Sequence, residues 1–183
     1  MQEAIDVLKK GGIILYPTDT VWGLGCDASN EEAVERINQL KGRDSSKSYI
    51  VVIDDDRKLN RFIKEVPDVA WDLFEFATKP TTIILSEGYN LATNVLAKDG
   101  SVGIRIIKHG TCHQLLKKFG KPLVSTSANL SGEPTALSLS DINSKILDGV
   151  DYVVNLPPNE KLTGTPSTII KLGVHGDYQL IRK

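Results

Sequence analysis

The chain has 183 residues, 40% of them hydrophobic and 25% charged, with a formal net charge of −1. That length buries a sizeable core without disulfides or metals and leads us to expect one domain over 1–183. The near-zero charge argues against a global field for nucleic acid or membrane, and no stretch approaches the roughly eighteen apolar residues of a membrane span.

Residues 1–10 read as an amphipathic helix without the apolar core of a signal peptide, and Gly11-Gly12 stops it. The run 13–16 is a buried strand closed by Pro17. Residues 18–27 form a glycine-punctuated polar loop. Ser29 or Asn30 caps a helix to about Leu40, which ends in Lys41-Gly42-Arg43. A strand over 48–53 leads to Asp54-Asp55-Asp56, a carboxylate run suited to a helix N-terminus rather than to a metal. Pro67 starts a helix through about Phe76, and Pro80 leads into the strand 81–85. Residues 87–98, with little periodicity, read as a mobile connection. The strand 101–107 carries Arg105 among apolar neighbours, and 111–119 is a short helix. Lys121-Pro122-Leu123-Val124 then opens a buried strand, followed by the hydroxyl and amide cluster Ser125 to Asn129. Ser138 or Ser140 caps a helix to about Leu147. Strands follow at 151–156, 167–172 and 178–182, with a polar loop at 157–166. Strands alternating with helices give an α/β fold, α+β in some schemes.

Cys26 and Cys112 lack metal or redox spacing and read as reduced thiols in a cytoplasmic protein. The chain has no GxxxxGK[ST] loop, GxGxxG turn or GxSxG elbow. His109 and His113 could share a helix face, but no third ligand is near. Three polar clusters remain: Thr18, Asp19 and Thr20; Lys41 with Arg43; and Ser125, Thr126, Ser127 and Asn129. No acidic residue falls between Asp99 and Glu133, whereas Arg105, Lys108, Lys117, Lys118 and Lys121 do. Short donors after strands together with guanidinium groups suit an anion whose charge must be neutralised. Phosphoryl or nucleotidyl transfer fits this donor set, and so does binding of a carbamoyl or acyl phosphate.

The stretches Tyr16-Pro17-Thr18-Asp19-Thr20-Val21-Trp22-Gly23-Leu24-Gly25-Cys26-Asp27, Lys41-Gly42-Arg43, Ser125-Thr126-Ser127-Ala128-Asn129-Leu130-Ser131-Gly132 and Pro166-Ser167-Thr168-Ile169-Ile170 resemble, in order and spacing, the YrdC-type threonylcarbamoyl-adenylate synthases. The resemblance implies an open twisted mixed β-sheet with helices on its faces and a deep basic cleft. It implies condensation of L-threonine, bicarbonate and ATP to L-threonylcarbamoyladenylate, with Mg²⁺ accompanying ATP. The product would feed N6-threonylcarbamoyladenosine formation in tRNA through separate tRNA-threonylcarbamoyl transferase proteins, and tRNA or double-stranded RNA is a further implied partner.

Carried over by motif, Thr18, Thr20 and Thr82 would line the threonine and carbamate pocket. Lys41, Arg43 and Arg105 would hold the triphosphate and serve catalysis. Ser125, Ser127 and Asn129 would bind the nucleotide, and Ser167 and Thr168 would close the far wall. The loop 157–166 would form part of a lid, and the short form without an additional C-terminal domain is expected. Asp44 and Ser48 stand where the family commonly has Pro, Trp22 replaces the commoner Tyr, and Thr78-Lys79-Pro80 lacks a Gly-Pro pair. The rival readings are a tRNA- or double-stranded-RNA-binding module, a non-synthase paralogue of the same fold, and a carbamoyl-phosphate-using transferase.

Overall fold

Alternation along the first strand, β1 (Ile14–Pro17), divides the molecule in two. Ile13 and Leu15 face one core while Ile14 and Tyr16 face another. The computed structural model describes residues 1–43, 48–173 and 176–183. Among them the remaining strands are β2 (Trp22–Gly25), β3 (Ile50–Ile53), β4 (Thr81–Leu85), β5 (Val102–Ile106), β6 (Leu123–Ser127), β7 (Tyr152–Val153), β8 (Thr168–Leu172) and β9 (Tyr178–Arg182). They form one mixed sheet in the order β7-β1-β2-β6-β3-β5-β4-β8-β9. The pairs β1/β7, β3/β5 and β4/β8 are parallel and the others antiparallel. This is the mixed α/β class that the alternation of elements predicts.

Three helices cover one face: α2 (Glu31–Lys41), α3 (Asp68–Phe76) and α5 (Ser144–Gly149). Ala33, Val34 and Ile37 of α2, Phe74 of α3 and Ile146 of α5 pack there with Leu24, Val51, Ile83, Ile104 and Val124. On the other face lie α1 (Gln2–Lys9) and α4 (Gly110–Phe119). They bury Ile5, Leu8, Leu115 and Leu116 against Ile14, Tyr16, Val52 and Leu123. Farther along the same face, alternation brings up Gly23, Ser125, Ser127, Gly103 and Thr82, and there the sheet is the floor of a cleft.

Several elements differ from the sequence reading for identifiable reasons. Residues 22–25, expected in a loop, form β2. Their glycines are demanded by packing rather than by a turn. A Cβ on Gly25 would come within 2.6 Å of both the Tyr16 ring and the Val124 carbonyl oxygen. The helix expected before Leu147 is split. A single 3-10 turn, Leu139–Asp141, carries a Ser138/Asp141 capping box, and α5 starts afresh with Asn143 accepting from the Lys145 N–H. The aspartate run does cap: Asp55 accepts from the Arg57 N–H, opening a 3-10 helix, Asp56–Arg61. The segment 87–98, expected to be mobile, is anchored. Ala92 and Val95 are buried, the Ala92 N–H donates to Ala28, and the Val95 carbonyl accepts from the Tyr49 N–H. The strand expected over 151–156 is reduced to β7.

Candidate functional site

Sheet register builds the cleft floor. Cross-strand partners place Val52, Arg105, Thr82, Ile169 and Arg182 in one row over β3, β5, β4, β8 and β9. A neighbouring row holds Ser125, Ile50, Gly103 and Ile84, and Ser127 stands opposite Gly23. Paired residues share a face, so these side chains rise from the sheet together. The cavity above them measures about 320 Å³. That volume falls within the range of small-molecule sites.

Arg182 reaches this row through a β-bulge. Leu180 pairs with Ile170 and Arg182 with Ile169, so Ile181 is an extra residue and the chain after it is shifted. Strict alternation would have put Arg182 on the face of Tyr178 and Leu180. Instead its Nε donates to the Ser167 carbonyl at 3.0 Å and its Nη2 to the Ser167 hydroxyl at 3.4 Å. That hydroxyl lies 2.8 Å from the Thr82 hydroxyl, so β4, the start of β8 and β9 meet at one polar knot. Partial burial of its guanidinium and the nearby Arg105 charge push Arg182 below its ordinary pKa.

Thr18 and Thr20 are buried and locked by their own turn. The Thr18 Oγ1 donates to the Val21 carbonyl at 2.7 Å, accepts from the Thr20 and Val21 N–H groups, and lies 3.0 Å from the Thr20 Oγ1. Arg105 is 5% exposed. Its Nη1 donates to the Thr20 Oγ1 at 3.1 Å and its Nη2 is ion-paired with Asp19. The Arg105 Nε is buried without a hydrogen-bond acceptor among the described residues. Arg43, Arg105 and Arg182 all line the cavity, and no described lining residue is a carboxylate or a histidine.

Of the residues singled out from sequence, Thr18, Thr20, Arg43, Thr82, Arg105, Ser125, Ser127 and Ser167 line this one cavity. Three others do not. Thr168 pairs with Thr81 and sits with it and α3 residues on the opposite face, one residue out of phase with Ser167. Lys41 is 3% exposed, and its Nζ donates to the carbonyls of Ser127 and Asn129, while its own carbonyl accepts from the Ser131 N–H. Burial, and secondarily the Arg43 charge, lower its pKa to about 8. Lys41 thus clamps the loop after β6 from behind. Asn129 donates to the carbonyls of Leu130 and Glu133 and leaves its Oδ1 buried and unbonded among the described residues. Asp44 lies outside the described residues.

Arg182 and Thr135 line the cavity without having been anticipated. An arginine ending an otherwise uncharged strand was the available signal for the first, but the bulge that aims it leaves no mark in the pattern. The loop 157–166 contributes Pro166 and is tied down elsewhere. Its Thr163 and Gly164 N–H groups donate to the carbonyls of Asp19 and Thr20, and its Glu160 accepts from the N–H and hydroxyl of Thr111 at the start of α4. Both cysteines are buried, which pushes their thiols well up in pKa, and His113 Nδ1 is bonded to the Ile107 carbonyl. Among the described residues no group of His, Cys, Asp and Glu could hold a metal ion, and no helix is long and apolar enough to cross a membrane.

The protein-family model Sua5_yciO_yrdC, described as "Telomere recombination", matches residues 6–183. A threonylcarbamoyl-AMP synthase of Pseudoalteromonas translucida is 36% identical over 157 residues, covering 84% of each chain. One of Hahella chejuensis is 36% identical over 153 residues, covering 83% of each. Among solved structures, P. abyssi Sua5 complexed with L-threonine superposes with a TM-score of 0.86 at 27% identity, over 93% of this chain and 50% of that one. E. coli YciO gives 0.84 at 27% identity, over 99% of this chain and 87% of that one. The chain therefore spans about half the length of the Sua5 protein and most of YciO. A family match running from α1 to β9, over the very strands whose register builds the cleft, places this chain in the Sua5/YciO/YrdC family.

Proposed function

We propose that this chain is a threonylcarbamoyl-AMP synthase, joining L-threonine, bicarbonate and ATP into L-threonylcarbamoyladenylate with release of pyrophosphate. The observation that carries the reading is the cleft floor, where three arginines line the cavity together with hydroxyl donors, no carboxylate is among the described lining residues, and Asp19, paired with Arg105, answers only one of the three charges. Such a floor attracts a polyanion and spreads its charge, the main demand of transfer at phosphorus. The synthases of P. translucida and H. chejuensis match over most of their own length, which supports the same activity here.

The threonine amine and bicarbonate combine with loss of water into a carbamate. A carbamate oxygen then attacks the α-phosphorus as the bond to pyrophosphate breaks. Two anions must approach each other, and Arg43 and Arg182 offset the repulsion along the triphosphate while Arg105, held by Asp19 and Thr20, faces the carbamate. Ser125 and Ser127 donate to the nucleotide, and Thr82 with Ser167 bounds the amino-acid end. Lys41 acts from outside the cavity by fixing the carbonyls of Ser127 and Asn129. The described lining offers Mg²⁺ no carboxylate, so the ion would enter on the phosphates of ATP, its usual mode of binding. The product would pass to a separate enzyme that transfers the threonylcarbamoyl group to tRNA.

Pyrophosphate release is measured with ATP, L-threonine and bicarbonate together and with each omitted in turn. The reading expects release only with all three. Release that ignores threonine, or no release from folded protein, overturns it.

A further inference from the structure

Arg43 follows the last turn of α2 through Gly42, which adopts φ +57°, a conformation that glycine accepts without strain. Its backbone N–H donates to the Asn38 carbonyl at 2.9 Å. The Asn38 side chain is buried and in use as well. Its Oδ1 accepts from the Tyr49 hydroxyl at 2.6 Å, and its Nδ2 donates to Glu35 at 3.0 Å. Tyr49, 2% exposed, is fixed at its other end by its N–H on the Val95 carbonyl. The Arg43 guanidinium carbon lies 4.6 Å from the centroid of the Tyr49 ring, and the Arg43 Nη2 donates to the Ser48 carbonyl at 2.8 Å. Backbone and side chain of Arg43 are thus both referred to one residue, Asn38, the second by way of the tyrosine. Burial pushes the Tyr49 hydroxyl up to about 12, so it stays a donor through neutral pH.

We infer that Tyr49 is a positioning residue for the triphosphate site: its ring, braced by Asn38, supports the Arg43 guanidinium in the cleft. A cation over an aromatic face in a partly desolvated site is held by the ring quadrupole, and the rigid ring limits the rotamers of a long side chain. Leucine at this position would keep the apolar bulk but lose both the quadrupole and the Asn38 bond. This inference rests on the synthase reading for its kinetic test and on the contact geometry alone for its spectroscopic one.

The experiment compares Tyr49→Phe, Tyr49→Leu and the parent protein, with thermal melting as the control for folding. In side-chain nitrogen and carbon spectra of arginine-labelled protein, the Arg43 signals should be displaced by the ring in the parent and in Tyr49→Phe, and should relax to ordinary positions in Tyr49→Leu. In the synthase assay Tyr49→Leu should raise the KM for ATP about tenfold with the KM for L-threonine unchanged, Tyr49→Phe should stay within about threefold, and Tyr49→Leu should add nothing in an Arg43→Gln background. Arg43 signals that ignore the ring overturn the inference whether or not the protein is a synthase. An active parent whose KM for ATP is the same in Tyr49→Leu overturns it as well. An inactive parent with the ring shift present overturns only the synthase reading.

Discussion

Arg105 and Asp19 come from distant parts of the chain, β5 and the loop after β1, and form an ion pair in which the arginine side chain is 7% exposed and the aspartate 29%. The charge that would meet an anionic substrate is therefore already half answered. Replacing Asp19 by Asn should raise ATP affinity several-fold in calorimetry, since a negative charge beside the cleft is gone. It should also lower turnover about tenfold as Arg105 loses its alignment. Weaker ATP binding by the variant would contradict this account of the pair.

Arg43→Ala should cut pyrophosphate release by about two to three orders of magnitude, the scale seen when one preorganised donor to a developing charge is deleted. Circular dichroism should match the parent, and melting should fall by no more than a few degrees, the cost of losing the contacts with Tyr49 and Ser48. Near-parental turnover would remove Arg43 from the reaction.

Arg182→Ala should weaken ATP binding and also disturb L-threonine binding, because the same guanidinium holds the Ser167 carbonyl and hydroxyl. Arg182→Lys supplies charge but not the two-pronged contact, and should recover ATP affinity more than threonine affinity. Equal recovery of both would show that only charge counts at this position.

For Lys41 the sign of a pH effect is fixed by burial. Its pKa falls from 10.5 to about 8 in the fold, so between these values the unfolded chain binds the extra proton and stability rises with pH. Lys41→Met lacks this contribution. The stability gap between parent and variant should thus widen from pH 8 to 10.5 by ~1.4 kcal/mol per unit at most. The neutral amine keeps two N–H donors for its two carbonyls, so the clamp persists through that window. A gap that narrows with rising pH, followed by chemical denaturation, would contradict it.

Gly103→Val tests the floor itself. A Cβ there would lie 3.3 Å from the Thr82 methyl group, and the two methyls of valine would stand in the cavity. Valine suits a central strand, so melting should shift by only a few degrees while ATP binding is lost. Retained binding would place the nucleotide elsewhere.

How much of this was legible beforehand follows from which forces leave a pattern. The apolar runs 13–16, 81–85 and 101–107 and the 3.6-residue spacing of Ala33, Val34 and Ile37 announce their elements because burial is periodic. The short motifs single out Arg43, Ser127 and Ser167, the cation among apolar neighbours singles out Arg105, and these four do share a cavity. What the pattern hides is register. Trp22-Gly23-Leu24-Gly25 reads as a loop because its glycines answer to the Tyr16 ring, a contact made across strands. Thr168 and Ser167 look equivalent in sequence, yet neighbours in a strand point to opposite faces. Lys41 looks like a ligand because its charge is visible and its two carbonyl acceptors, from residues 127 and 129, are not.

The row from Val52 to Arg182 draws each of its members from a different strand, and β9 holds the outer end with every residue exposed. A nucleotide seated on that row would stitch the sheet's frayed margin to its centre. Amide hydrogens of β8 and β9 would then exchange more slowly on ATP addition than those of the already buried β1, making the periphery of the sheet the sensitive reporter of an occupied interior.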